Sequence, residues 1–222
     1  MARNDWYRNE EWNSEIDATF HEKLVRSRSM RPQYLVIQAG MIARKYPEAA
    51  LSLIVEYFER FEDFNVPNAY CVRAKALTAN GHVAEAVAAY KSALEWEIEH
   101  PNFISTARWD YPEFVASQRI ASEYAEAIEV LSRRFKANDH AFPRHRYVWN
   151  GSMALILDDS GDKLEAKEFA QRALRAAAET QSPFRYHRTL GLVSSTSDEF
   201  GIRLMRIAEP SVIRRLIRLI RS

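Results

Sequence analysis

The chain has 222 residues, a formal net charge of +1, six Gly, eight Pro and one Cys. Glycine and proline this sparse argue against an all-β fold, and near-zero net charge removes the electrostatic case for a nucleic-acid partner. The lone Cys71 excludes an intramolecular disulfide and fits a reducing compartment, while a polar N-terminus and the absence of any long apolar run exclude a signal peptide and a membrane span. A cytoplasmic address is therefore expected.

Residues 1–30 read as a capping segment. Ser14 with Asp17 three residues later forms an N-cap pair, after which Ile16, Phe20 and Leu24 recur at helical spacing. Trp6, Tyr7 and Trp12 lie just before it. Such an aromatic cluster can bind a ligand, but it also suits the open end of a stacked helical array, which needs an apolar cover.

A Glu-Ala dipeptide then recurs at Glu48-Ala49, Glu85-Ala86, Glu126-Ala127 and Glu165-Ala166, at intervals of 37, 41 and 39 residues. Self-similarity at this period is the mark of helical hairpins that bury their apolar faces only against their neighbours. The first copy keeps Tyr46, Ala49 and Leu53, with Pro47 placed to open its second helix. The second is the fullest: Tyr70, Ala74, Leu77, Gly81, Ala86, Tyr90, Ala93 and Leu94 fall at the spacings of a helix, a tight turn and a returning helix. Its alanines permit close backbone approach, and Gly81 supplies a left-handed helix end. The helices are expected near Asn68 to Asn80 and Val83 to Glu99.

This second copy resembles a tetratricopeptide repeat, although Arg73 stands where the family usually has Leu and the late Pro is displaced to Pro101. The third copy keeps Tyr124, Ala127 and Leu131 but lacks the turn glycine. The fourth aligns Ala154, Leu157, Gly161, Ala166, Ala173 and Leu174, with Ala170 in place of the usual aromatic. The resemblance implies an all-α, right-handed superhelix of four hairpins over residues 31–179, between a cap at 1–30 and a loop with a capping helix at 180–222. A lone repeat array of this kind also has a bacterial style.

Two stretches interrupt the register. Ala137 to Tyr147 holds His140, Arg144, His145 and Arg146, and Gln181 to Asp198 holds Arg185, Tyr186, His187 and Arg188, with a helix start expected at Ser197 or Asp198. The chain closes on Ser211 to Arg221, where Val212, Ile213, Leu216, Ile217, Leu219 and Ile220 fall on one helical face and four arginines on the other. That helix suits either a cap or a membrane surface.

Enzyme signatures are missing. There is no phosphate-binding glycine loop, no Gly-x-Ser-x-Gly elbow and no second His following His21-Glu22 at zinc-protease spacing. His140 and His145 stand without Cys or acidic companions, so no metal, cofactor or catalytic residue is expected.

In tetratricopeptide arrays the first helix of each hairpin lines the concave face. The resemblance places Tyr34, Gln38, Cys71, Lys75, Thr78, Trp109, Arg119 and Asp158 there, with Cys71 either lining the groove or packed. Such a wall can grip a peptide, and its cations favour a carboxylate-bearing ligand. The chain is thus expected to be a protein- or peptide-binding scaffold: a regulator, adaptor or immunity-type protein. The alternatives are attachment to a membrane surface or anionic polymer through the basic C-terminal helix, and an enzyme whose site assembles only in space.

Overall fold

A computed structural model describes residues 5–133 and 142–209. Among these it contains ten α-helices, one short 3-10 turn at Ala121–Glu123 and no strand. The chain divides into two compact units, Met1–Ala107 and Arg108–Ser222.

The first unit contains α1 (Ser14–Arg26), α2 (Arg31–Ile42), α3 (Pro47–Arg60), α4 (Val66–Ala79) and α5 (Val83–Glu99). The α1 cap is Asn13 rather than Ser14: its side-chain oxygen accepts from the Glu15 and Ile16 amides at 3.0 and 2.9 Å. Pro47 opens α3 as expected. Helices pair in chain order, α2 with α3 and α4 with α5, and the first helices α2 and α4 also touch. The contact faces are built from small residues, Ala39, Ala43, Ala50, Ala69, Ala74, Ala76, Ala86 and Ala93, all fully buried. With no side chain beyond Cβ, the helix backbones approach closely and the gaps between them take Leu35, Ile42, Ile54 and Tyr57.

The second unit contains α6 (Ala107–Gln118, starting at the boundary), α7 (Tyr124–Arg133), α8 (Pro143–Ser160), α9 (Lys163–Ala177) and α10 (Glu199–Ala208). The α8 helix pairs with α9 over Ala154, Ala166, Ala170 and Ala173, and α10 packs on both. Of the stretch expected to break helix before residue 147, the part from Pro143 onward is helical. Pro143 occupies the first turn of α8, where its missing N–H is no loss, so Arg144, His145, Arg146 and Tyr147 are helical rather than looped. The expected start at Asp198 is present, its carboxylate accepting from the Gly201 amide at 2.8 Å. His140 and the segment Ser211 to Arg221 lie outside the described residues.

Three turns share one hydrogen-bonding device. The His82 amide reaches the Leu77 carbonyl at 2.9 Å, Ile120 reaches Val115 at 3.1 Å, and Asp162 reaches Leu157 at 3.0 Å. Each bond spans five residues and needs a left-handed residue before the donor. Gly81 and Gly161 provide it with φ of +78° and +97°, and in the third copy Arg119 does so at +55°. A side chain in that conformation is disfavoured, so the third turn is held from outside. Arg203 of α10, 7% exposed, supplies part of the restraint by donating to the Ala116 and Ser117 carbonyls at the end of α6 and to Asp159 at 3.0, 3.3 and 2.9 Å.

The α1 helix is tied to α3 by His21, whose Nε2 lies 3.0 Å from Glu56 while Nδ1 lies 3.0 Å from the Asp17 carbonyl. Partial burial lowers the His21 pKa, but the Glu56 hydrogen bond, the Asp17 carbonyl and the two carboxylate charges outweigh it and leave it raised above 6.5.

Two predictions follow from these contacts. Because Gly81 is left-handed with open space around it, Gly81→Ala should lower unfolding free energy by about 1 kcal/mol through backbone strain alone, whereas Arg119→Gly should raise it by roughly 0.5 kcal/mol. Urea unfolding reads both, and equal signs would show that the turns are not equivalent. The raised His21 pKa means its contribution is complete below pH 6.5 and lost as pH rises through the folded value. The wild-type unfolding free energy should therefore fall between pH 6 and 8 by well under ~1 kcal/mol for a pair in contact with solvent, read as a slight drop in melting temperature that His21→Gln should lack.

Candidate functional site

The faces expected to bind a partner are those of α2 and α4 in the first unit and of α6 and α8 in the second. On α2, Tyr34 and Gln38 stand one turn apart, and the chain's own N-terminal segment covers both. Tyr34 stacks on Tyr7 with ring centroids 4.3 Å apart and meets the Trp6 edge at 5.0 Å. Gln38, expected on an open groove wall, is fully buried. Its Oε1 accepts from the Asn9 amide at 2.9 Å and its Nε2 donates to the Asn9 carbonyl at 2.9 Å. One side-chain amide thus satisfies both backbone groups of one residue, as a neighbouring strand would. Beyond α2, Lys45 Nζ and Tyr46 Oη donate to the Glu11 carboxylate. These bonds, that from Lys45 foremost, hold the exposed Glu11 carboxyl below its usual range.

On α4, Cys71, Lys75 and Thr78 share a face at helical spacing. Cys71 is packed, not groove-lining: it is 2% exposed and its thiol donates to Ser105 Oγ at 3.5 Å. Ser105 is part of a buried polar knot, in which its amide and hydroxyl donate to Glu97 Oε1 at 2.7 and 2.6 Å while its oxygen accepts from the Ala107 amide at 3.1 Å. Lys75 and Thr78 are half-buried, and the Thr78 hydroxyl donates to the Ala74 carbonyl at 2.8 Å.

In the second unit, Trp109 of α6 stacks on His145 of α8 at 4.2 Å. Arg119 lies one residue past the end of α6, exposed and 3.8 Å from Asp159, so it belongs to a turn and not to a helix face. Asp158, near the end of α8, accepts from Lys163 Nζ at 2.8 Å and takes part in the α8–α9 turn. Tyr124 also donates to Asp159, at 2.9 Å, and burial with that carboxylate pushes its pKa up to about 12.

Asn9, Glu11, Lys45 and Tyr46 were not among the residues expected at a site. Each acts through a contact some 30 residues away in sequence, as the Asn9–Gln38 separation of 29 illustrates, and no local pattern encodes such a pairing. Among the described residues no group of three or more His, Cys, Asp or Glu is placed to hold a metal ion, and no helix is long and apolar enough to cross a membrane.

The tetratricopeptide repeat family matches residues 67–97, which run from the second residue of α4 almost to the end of α5. No curated protein and no solved structure matches the chain. With helices that pair in sequence order and a family match on the hairpin of fullest register, the chain is a tetratricopeptide-like helical repeat protein. The repeat is a protein-interaction motif and not a catalytic one.

The buried Ser105 knot allows a direct check on the first unit. Glu97→Ala leaves the Ser105 amide and hydroxyl without their acceptor and should lower unfolding free energy by about 3 kcal/mol, with Glu97→Gln retaining part of it. Equal stability of wild type and Glu97→Ala in urea would show that solvent reaches Ser105.

Proposed function

We propose that this protein is a non-catalytic scaffold that binds a protein or peptide partner through the first-helix faces of its hairpins, acting in the cytoplasm as an adaptor, regulator or immunity-type protein. The observation that carries this reading is the coincidence of the tetratricopeptide match with the α4–α5 hairpin, whose first helix presents Lys75 and Thr78 at half-buried positions. Half-burial suits recognition, because a cation already partly withdrawn from water loses less hydration when a carboxylate arrives. Gln38 supports the same reading, since it holds a polypeptide backbone on the corresponding face of the preceding hairpin. Tyr34, Trp109 and Asp158 remain candidates for partner contact within their own units, and Arg119 adds an exposed cation in the second. Cys71 offers nothing to a partner.

The test combines affinity capture by the immobilised full chain with charge reversal. Lys75→Glu and Arg119→Glu should each leave the circular dichroism spectrum unchanged and shift stability by well under ~1 kcal/mol, yet the double variant should lose a protein that wild type captures reproducibly. Unchanged capture by the double variant would place the partner elsewhere. Unfolding of either single variant would make that cation structural.

A further inference from the structure

The first helices α2, α4 and α8 each lie against the helix that follows them, α3, α5 and α9. The α10 helix also stands in a first-helix place, because it packs on α9 and α8 as α4 packs on α3 and α2. Its seat on α8 is close: a Cβ built on Gly151 would come within 2.5 Å of the Phe200 ring. Among the described residues, however, no following helix lies against α10.

Phe200, Gly201, Leu204 and Ala208 turn one face of α10 to the interior. On the other face Ile202 and Met205, three residues apart, are 36% and 38% exposed. Glu199, Arg206 and Glu209 are exposed beside them. That face therefore has an apolar centre, with two carboxylates and one cation on its rim.

Residues 210–222 follow this helix directly and match its open face in start, length and polarity. Pro32, Pro47, Pro67 and Pro143 occupy the first turns of α2, α3, α4 and α8, so Pro210 stands where this chain begins its helices. At ~1.5 Å per residue Ser211 to Arg221 reaches about as far as the ten residues of α10. Val212, Ile213, Leu216, Ile217, Leu219 and Ile220 share one helical face, and a contiguous aliphatic surface of that kind is one that folded domains cover. Arg214, Arg215, Arg218 and Arg221 oppose the sign of Glu199 and Glu209. We propose that α10 is the first helix of a fifth hairpin and that Ser211 to Arg221 of the same chain returns antiparallel along it. Its apolar face covers Ile202 and Met205, and its arginines turn to solvent.

The test uses the burial of Cys71, the one cysteine of the chain. In full-length Met205→Cys a maleimide should label the introduced thiol slowly, and roughly tenfold faster once Leu216→Asp/Ile217→Asp is added. In wild type, trypsin should cut after Arg214 and Arg215 roughly tenfold more slowly than after Arg185 and Arg188, which are exposed between α9 and α10. Equal labelling rates in the two backgrounds, or cleavage at Arg214 and Arg215 as fast as at Arg188, overturns the proposal. Labelling of Cys71 in the Leu216→Asp/Ile217→Asp background overturns it as well, because a segment laid on a helix already fixed by α8 and α9 is not needed for the fold as a whole. So does faster labelling of Met205→Cys on adding phosphatidylglycerol vesicles, which would place the segment on a membrane surface instead.

Discussion

Helix backbones brought together over alanine are the constraint on which the rest of this structure depends. Ala39, Ala43 and Ala50 in the first hairpin, Ala74, Ala86 and Ala93 in the second, and Ala154, Ala166, Ala170 and Ala173 in the last are fully buried. An alanine offers little area of its own, so its value lies in letting larger neighbours close the interface. Leu35, Ile54 and Tyr57 do this in the first unit, and Leu155, Ile156 and Leu204 in the second. A hairpin built this way hides one face and leaves another to be covered by the next element in the chain, which is why helices here pair in sequence order.

Where the alanine pattern gives out, polar groups distant in sequence take over the holding. Arg203 closes the end of α6, where a left-handed Arg119 replaces the glycine of the other turns. Glu97 and Ser105 fasten the connection out of α5, and Gln38 fastens the chain's beginning. Each is buried, and each satisfies backbone groups that would otherwise be left in the interior without partners. These residues are polar at positions where helical periodicity alone would call for apolar ones.

At the α2 face the same physics fastens the chain's own N-terminal segment. Gln38 holds both backbone groups of Asn9 and also accepts from its side-chain amide at 3.0 Å, so three bonds fasten this one residue. The aromatic residues at the N-terminus cover the apolar end of the first unit, Trp6 and Trp12 on Phe20, while Tyr7 stacks on a residue of the candidate site itself.

By itself the sequence determined the class of fold, the register of the second hairpin and the turns that use glycine. These depend on local periodicity, on alanine placement and on the conformational freedom of Gly81 and Gly161, all of which are properties of short windows. The helices around residues 68–99 were legible to within about two residues at their starts for that reason, as α4 at Val66–Ala79 and α5 at Val83–Glu99 show. Only the tertiary structure decided that Gln38 turns inward to Asn9, that Cys71 is packed against Ser105, that Arg119 sits in a turn and that Pro143 begins a helix instead of ending a loop. A residue's face is set by its helix, but its accessibility is set by what lies across from it. The partners of Gln38, Cys71 and Arg203 come from 29 to 87 residues away, a distance over which a single sequence carries no pattern.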